Sequence, residues 1–127
     1  MTVTRHVNAV SIEAGSDLSA RQFGLVYVTD EGRAELNTNQ AGATASYGVL
    51  LNKPTGVGQA ARVAINGSIV KCLGGGAIAE RAWVGAGGPN AMGTSTTTDN
   101  AWVIGQAVSA CGGSGQYFEL LVQPQRY

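Results

Sequence analysis

The sequence predicts an all-β fold, a small barrel or sandwich built from two similar halves with one or two single-turn helices. Short β-branched and aromatic runs alternate with Gly, Asn, Asp and Pro along the chain, which is typical of strands joined by turns. No window of a dozen residues has the periodicity of an amphipathic helix. The chain also repeats itself at an offset of 57 residues, which indicates the two halves.

The clearest predicted element is a β-hairpin with strands at residues 61–65 and 68–73. Asn66-Gly67 stands between two apolar alternations, and this dipeptide favours the type I′ turn because both of its residues accept a positive φ. The twist of that turn matches the twist of the flanking strands. We therefore expect the two strands to pair with each other.

Two further hairpins and two short helices complete the prediction. One hairpin runs from residues 25–28 through the turn Asp30-Glu31-Gly32 to residues 33–36. The other runs from Trp83-Val84 across the glycine-rich segment 85–90, and Thr94–Thr98 returns as a polar strand because Thr fits a pleated surface. The candidate single-turn helices are residues 17–23 and 77–82.

The repeat sets the expected domain organisation. At an offset of 57, residues 47–51, 56–59 and 63–65 align with residues 104–108, 113–116 and 120–122. At an offset of 60, Leu18, Arg21 and Phe23 align with Ile78, Arg81 and Trp83. Two separate domains of about 60 residues would each be only marginally stable. We therefore expect one domain at residues 9–123, with pseudo-repeats at about 16–65 and 76–122, an N-terminal arm at 1–8 and a C-terminal tail at 124–127.

Composition and charge argue against several classes of protein. The 127 residues carry 8 basic and 8 acidic side chains, so the net charge is zero. A nucleic-acid partner is not expected, because such binding needs clustered Lys and Arg. No stretch has the roughly 18 to 20 apolar residues of a membrane helix, so no membrane partner is expected. The N-terminus lacks the apolar core of a signal peptide, which predicts synthesis in the cytoplasm.

The sequence predicts no catalytic, cofactor-binding or metal-binding residues, and hence no enzyme. His6 is the only histidine that could act as a base, and it lies in the expected arm. The glycine run Gly74-Gly75-Gly76 lacks the lysine of a phosphate-binding loop and opens no long helix. The few adjacent acids, such as Asp30-Glu31, supply too few oxygens for a calcium loop.

We expect the cysteines and tryptophans to stabilise the fold rather than to form a functional site. Cys72 and Cys111 fit neither a disulfide framework nor a zinc site, which leaves two buried thiols or a single bridge between them. Trp83 and Trp102 each begin an apolar run, and we expect both to anchor the core.

Five segments form a further pattern along the chain. They are residues 13–20, Tyr47-Gly48-Val49, residues 61–67, Gly76-Ala77-Ile78-Ala79 and Ile104-Gly105-Gln106-Ala107. In pattern and order these segments resemble the capsid cement, or head decoration, proteins of tailed bacteriophages, and the likeness covers residues 8–123. One departure is Ala20-Arg21-Gln22, where the family tends to have Ala-Gly-Asp.

The resemblance implies a β-rich protein, usually a homotrimer, on the outer surface of an icosahedral capsid in the virion. Its partners would be the major capsid protein, whose neighbouring subunits it bridges, and copies of itself. The alternative is a carbohydrate- or small-ligand-binding β module of a phage appendage. Thr94–Thr98, Trp83 and Trp102 would support that alternative if the two rings were exposed.

The termini are the predicted capsid or subunit contacts. The arm alternates polar and apolar residues, so it could add a strand to the edge of a neighbour's sheet; a leader without contacts is the other interpretation. The tail could contact a neighbour or dock on its own subunit. The predicted contact residues are Thr2, Val3, Thr4, Arg5, His6, Val7, Arg126 and Tyr127.

Overall fold

The predicted all-β fold is confirmed by a computed structural model, which describes residues 7–38, 45–87, 91–97 and 99–127. One 3-10 helix, Ser19–Arg21, accompanies the strands in these ranges. The strands are β1 (Ala9–Glu13), β2 (Leu25–Val28), β3 (Ala34–Leu36), β4 (Gly48–Leu50), β5 (Ala60–Ala64), β6 (Ile69–Leu73), β7 (Trp83–Gly87), β8 (Met92–Ser95), β9 (Trp102–Ala107) and β10 (Tyr117–Arg126).

The strands form two antiparallel five-stranded sheets, one from each half of the chain. The first sheet has the order β1-β5-β4-β2-β3, and the second has the order β6-β10-β9-β7-β8. Subtracting five from each strand number of the second sheet gives the order of the first. The two edge strands of each sheet meet at one parallel bridge, Ala14 with Ala34 and Gly74 with Gly93, so each sheet curls toward closure.

Equivalent turns in the two halves have the same backbone geometry. The Gln59 N–H donates to the Gly56 carbonyl at 3.3 Å, and 57 residues later the Gln116 N–H donates to the Gly113 carbonyl at 3.2 Å. The glycine inside each turn has a positive φ, 91° at Gly58 and 82° at Gly115. The offset of 57 is thus also present in the backbone.

Near the helical segments, equivalent residues of the two halves are not 60 residues apart in the structure, as they are in the sequence alignment. Val26 pairs with Gly48 and Val84 pairs with Gly105, so β2 and β7 are 58 residues apart. Phe23 and Arg81 are then equivalent, and they share a positive φ of 68° and 70°.

The second predicted single-turn helix is wrong. Within residues 77–82 the chain forms turns, and Ile78 instead makes a β-bridge with Cys111. Backbone pairing therefore takes the place of the helical turn in the second half.

The hairpin predicted around Asn66-Gly67 is also wrong, although both of its strands exist. β5 pairs with β1 and β4 in the first sheet, whereas β6 pairs with β10 in the second. Only Gly67 has a positive φ, 95°, as in a type II turn, whereas a type I′ turn needs two such residues. The Gly67 N–H donates to the Val122 carbonyl at 2.8 Å, so the turn joins the two sheets.

The other two predicted hairpins are confirmed. β2 pairs with β3 over three residue pairs, and β7 pairs with β8 over four. The second of these hairpins differs in its bounds from the prediction, because β8 begins at Met92 and ends at Ser95. Residues 88–90 and Thr98 lie outside the described residues.

Two apolar clusters form the core, and the larger one joins the halves. The smaller cluster lies within the first half and includes Leu18, Leu50 and Val63. The larger cluster contains second-half residues such as Phe118 and Leu120 together with Leu25, Val49 and Ala64 of the first half.

The prediction that the tryptophans anchor the core is wrong. Trp83 and Trp102 are half-buried and lie in neither apolar cluster. Each is the first residue of its strand. The apolar run of the sequence begins there, but the side chain lies outside the buried core.

Two equivalent glycines allow neighbouring strands to approach closely. A Cβ on Gly48 would overlap the Ala64 carbonyl oxygen, and a Cβ on Gly105 would overlap the Leu121 carbonyl oxygen. Both neighbours are backbone atoms, which cannot rotate away as a side chain does. Glycine is therefore required at these two positions of β4 and β9.

We expect Gly105→Ala to lower the free energy of unfolding by about 2 kcal/mol or more, because the new methyl group forces β9 and β10 apart. The control is Gly113→Ala, where a Cβ would meet open space. That change should stay within about 0.5 kcal/mol of wild type. Urea denaturation measures both values, and equal stabilities of the two variants would contradict the close approach.

Candidate interaction surface

The predicted N-terminal contact residues fall partly on the described chain. Thr2, Val3, Thr4, Arg5 and His6 lie outside the described residues. Val7 is described, and 48% of it is exposed. It precedes β1, which is an edge strand of the first sheet.

A buried hydroxyl ties the start of β1 to the second sheet. The Asn8 N–H donates to Ser68 Oγ at 2.7 Å, and Ser68 Oγ donates to the Asn8 carbonyl at 2.9 Å. The Val122 N–H in turn donates to the Ser68 carbonyl at 2.8 Å. Because Ser68 is fully buried, these bonds hold the first described residues beside β10.

The C-terminal residues continue β10 and dock on their own subunit. The strand runs to Arg126, with an irregular register between Val122 and Gln125 that accommodates Pro124, which has no N–H to donate. The Arg126 guanidinium lies 4.4 Å from the centre of the Trp102 ring. The Tyr127 N–H donates to the Ala101 carbonyl at 2.8 Å, while 43% of Tyr127 stays exposed.

Pro124 of β10 borders a cavity of about 330 Å³, whose other lining residues are Ser46, Tyr47, Ile65 and Asn66. Tyr47 is 43% exposed, and Asn8 Nδ2 donates to the Asn66 carbonyl at 3.5 Å. We call the surface formed by Val7, Asn8, Tyr47, Asn66 and Pro124 the terminal surface. It brings Asn8, at the end of the arm, near the last strand through Asn66, although Asn8 and Pro124 are more than 100 residues apart in the sequence.

A second cavity, of about 320 Å³, lies where the two halves meet. We call it the junction cleft. The first half contributes Ser19, Ala20, Arg21, Gln22 and Lys53, and the second half contributes Leu73, Met92, Gly115 and Tyr117. Sequence reasoning missed this cleft, because its residues come from five separate segments that share no motif.

An aromatic and cationic cluster adjoins the junction cleft through Tyr117, its member among the lining residues. The rings of Phe23 and Tyr117 meet edge to face, with centroids 5.7 Å apart and planes at 87°. Lys71 Nζ lies 5.3 Å from the centroid of Phe23 and 5.0 Å from that of Tyr117. Both distances are within the range of a cation–π attraction. Tyr117 is 51% exposed and also borders a cavity of about 270 Å³ with Ser109 and Glu119.

Asp17 carries a fixed negative charge beside this cleft. Its carboxylate accepts hydrogen bonds from the Ser19 hydroxyl at 2.6 Å and from the Ser19 N–H at 2.9 Å. These bonds stabilise the charged form and lower the pKa of Asp17. The carboxylate is therefore committed to holding Ser19 in place.

Both cysteines are free, buried thiols, which decides between the two interpretations left by the sequence. Burial raises the pKa of the Cys72 thiol, and the nearby Cys111 adds to the effect. Within the described ranges, no group of three or more His, Cys, Asp or Glu residues could hold a metal ion. No helix in the same ranges is long and apolar enough to cross a membrane.

The chain matches no protein-family model, and no curated protein shows significant similarity to it. By its fold the chain is a two-sheet β protein, and two separate surface clefts lie at the junction of its halves.

We expect the stability of the protein to fall as the pH rises above about 8.5, where a thiol in the unfolded chain ionises. The buried Cys72 thiol stays neutral there, so the unfolded state binds fewer protons than the folded state. One such thiol contributes a limiting slope of about 1.4 kcal/mol per pH unit. Urea denaturation in reducing buffer between pH 7 and pH 10 measures the slope.

Cys72→Ala should flatten this dependence on pH, although it lowers stability at every pH. The control is Val70→Ala, which removes a buried side chain from the same strand and should keep the wild-type slope. If Cys72→Ala and wild type have the same slope, the buried thiol does not cause the dependence.

Proposed function

We propose that this protein is a structural virion protein that binds the outer surface of an icosahedral phage capsid. There it cements neighbouring major capsid protein subunits, as a homotrimer. The resemblance of residues 8–123 to capsid cement proteins supports the proposal. The observation that carries it is the terminal surface, because Asn8, at the end of the arm, bonds to Asn66 beside a cavity that Pro124 of β10 and the half-exposed Tyr47 also line.

The position of β1 suits attachment by strand addition. On one side β1 pairs with β5, and on the other it meets β3 only through the single bridge that follows the strand, at Ala14 and Ala34. An edge strand presents backbone N–H and C=O groups that a strand of another chain can pair with. The arm, residues 1–8, leads directly into this edge in the sequence.

A trimer would make weak contacts sufficient for firm attachment. Once one subunit of a trimer is bound, the other two are held near their own sites at a high effective concentration. Binding to the assembled shell then stabilises that shell by mass action. The low charge of the protein, 13% of residues, limits long-range repulsion between copies crowded on one surface.

A carbohydrate- or small-ligand-binding module of a phage appendage is the second candidate. The half-burial of Trp83 and Trp102 favours it, since rings outside the core can stack on a sugar. One face of Trp102 is already covered by the Arg126 guanidinium, which reduces the ring surface left for a ligand. The two candidates differ in where the protein is found, on the shell or on an appendage.

We expect Tyr47→Arg to lower the number of copies on purified phage particles at least tenfold, because a charged side chain would replace the central apolar group of the terminal surface. The control is Val57→Arg, which adds the same charge at an exposed residue beyond the other end of β5. Cryo-electron microscopy and quantitative gel analysis of particles measure occupancy. Wild-type protein that never associates with the shell would contradict the proposal.

Deletion of residues 1–7 tests the arm separately. If the arm adds a strand to a shell subunit, occupancy should fall while the thermal unfolding temperature stays the same, since Asn8 and its bonds to Ser68 remain. Unchanged occupancy would show that the arm makes no contact with the shell and would support the interpretation of the arm as a leader without contacts.

A further inference from the structure

The junction cleft has a basic lining. Arg21 and Lys53 line it, and none of its lining residues is acidic. Lys53 is exposed and forms no ion pair in the part of the chain that the structure describes. Asp17, the acid nearest to Arg21 in the sequence, does not line the cleft and forms no ion pair with Lys53 in the described ranges. A partner with carboxylates would therefore complement the cleft.

Phe23, whose backbone is fixed, supports the Tyr117 ring that lines the cleft. Phe23 has a φ of 68°, which is uncommon for a large side chain, and two backbone bonds fix it. Its N–H donates to the Leu50 carbonyl at 2.7 Å, and its carbonyl accepts from the Leu73 N–H at 2.9 Å. Phe23 in turn supports the Tyr117 ring. An exposed ring that is already positioned loses little freedom on binding, which favours a contact surface.

The same chain carries a complementary acidic turn. Asp30 and Glu31 are adjacent and exposed at the tip of the β2–β3 hairpin. The turn is fixed by bonds from the Thr29 N–H to the Arg33 carbonyl, 2.8 Å, and from the Gly32 N–H to the Thr29 carbonyl, 2.9 Å. Within the described ranges neither acid forms an ion pair. The turn thus presents two unneutralised carboxylates on a defined loop.

We propose that the Asp30-Glu31 turn of one copy docks in the junction cleft of the next copy. The two carboxylates face the side chains of Arg21 and Lys53, and the turn backbone packs against the Tyr117 ring. Because the turn and the cleft are different surfaces, the contact is head-to-tail, and such contacts close into a ring when the rotation between copies allows it. This inference rests on the homotrimer of the proposed function and supplies its contact.

A closed trimer amplifies a small change in affinity at one contact. An ion pair between exposed side chains contributes little by itself. In a closed trimer the same contact forms three times, so a threefold effect at one contact becomes about 27-fold in the association constant of the trimer. High salt should weaken the trimer for the same reason, since it screens charges at the cleft rim.

Charge reversal with restoration tests the contact. Lys53→Glu and Asp30→Lys should each lower the trimer association constant by about 27-fold or more, measured by sedimentation equilibrium over a range of concentrations. The double variant carrying both changes should recover most of the loss, because the charges are exchanged rather than removed. The control is Arg62→Glu, the same change of charge at an exposed residue of β5 that does not line the cleft.

Four other outcomes overturn the inference. Wild-type protein that stays monomeric at all concentrations, single variants that associate like wild type, or a double variant no better than the single ones would do so. If Lys53→Glu lowers particle occupancy without altering the trimer, the cleft binds a shell subunit instead. Trimers that form as expected but never bind particles would count against the capsid function and leave this contact standing.

Discussion

The fold depends on burial of apolar surface between its two halves. Each half forms one five-stranded sheet, and a unit of about 60 residues buries too little surface to be more than marginally stable. The larger apolar cluster removes this limit, because Leu25, Val49 and Ala64 of the first sheet pack into the core of the second. The junction thereby stabilises both sheets, and both surface clefts lie along it.

The halves share their backbone but differ in the side chains at the junction. Strand order, the glycine turns and the close approach at Gly48 and Gly105 recur because each is a constraint on the main chain. The cluster of Phe23, Lys71 and Tyr117 occurs once. By the pairing registers, the positions equivalent to these three residues hold Arg81, Ser11 and Ala60. The duplicated framework therefore carries unique surfaces.

The two surfaces lie toward opposite ends of β10. Tyr117 begins this strand at the junction cleft, and Pro124 lies near its end at the terminal surface; seven residue steps of strand span roughly 23 Å. This separation lets the two proposals coexist, since copies can contact one another at one end and a shell at the other.

The sequence by itself determined what depends on local patterns. Apolar alternation and turn residues predicted the all-β class, two of the three hairpins and the duplication, because strand periodicity and turn preferences act over a few residues. Pairing around Asn66-Gly67, the half-burial of Trp83 and Trp102, and the replacement of the second helical turn by a bridge were decided by tertiary structure. A turn residue permits a chain reversal but does not choose the strand that follows as a partner. The candidate site shows the same division. Of the terminal surface only Val7 was named as a contact from the sequence, whereas Tyr47, Pro124 and the junction cleft come together only because sheets formed by distant segments pack against each other.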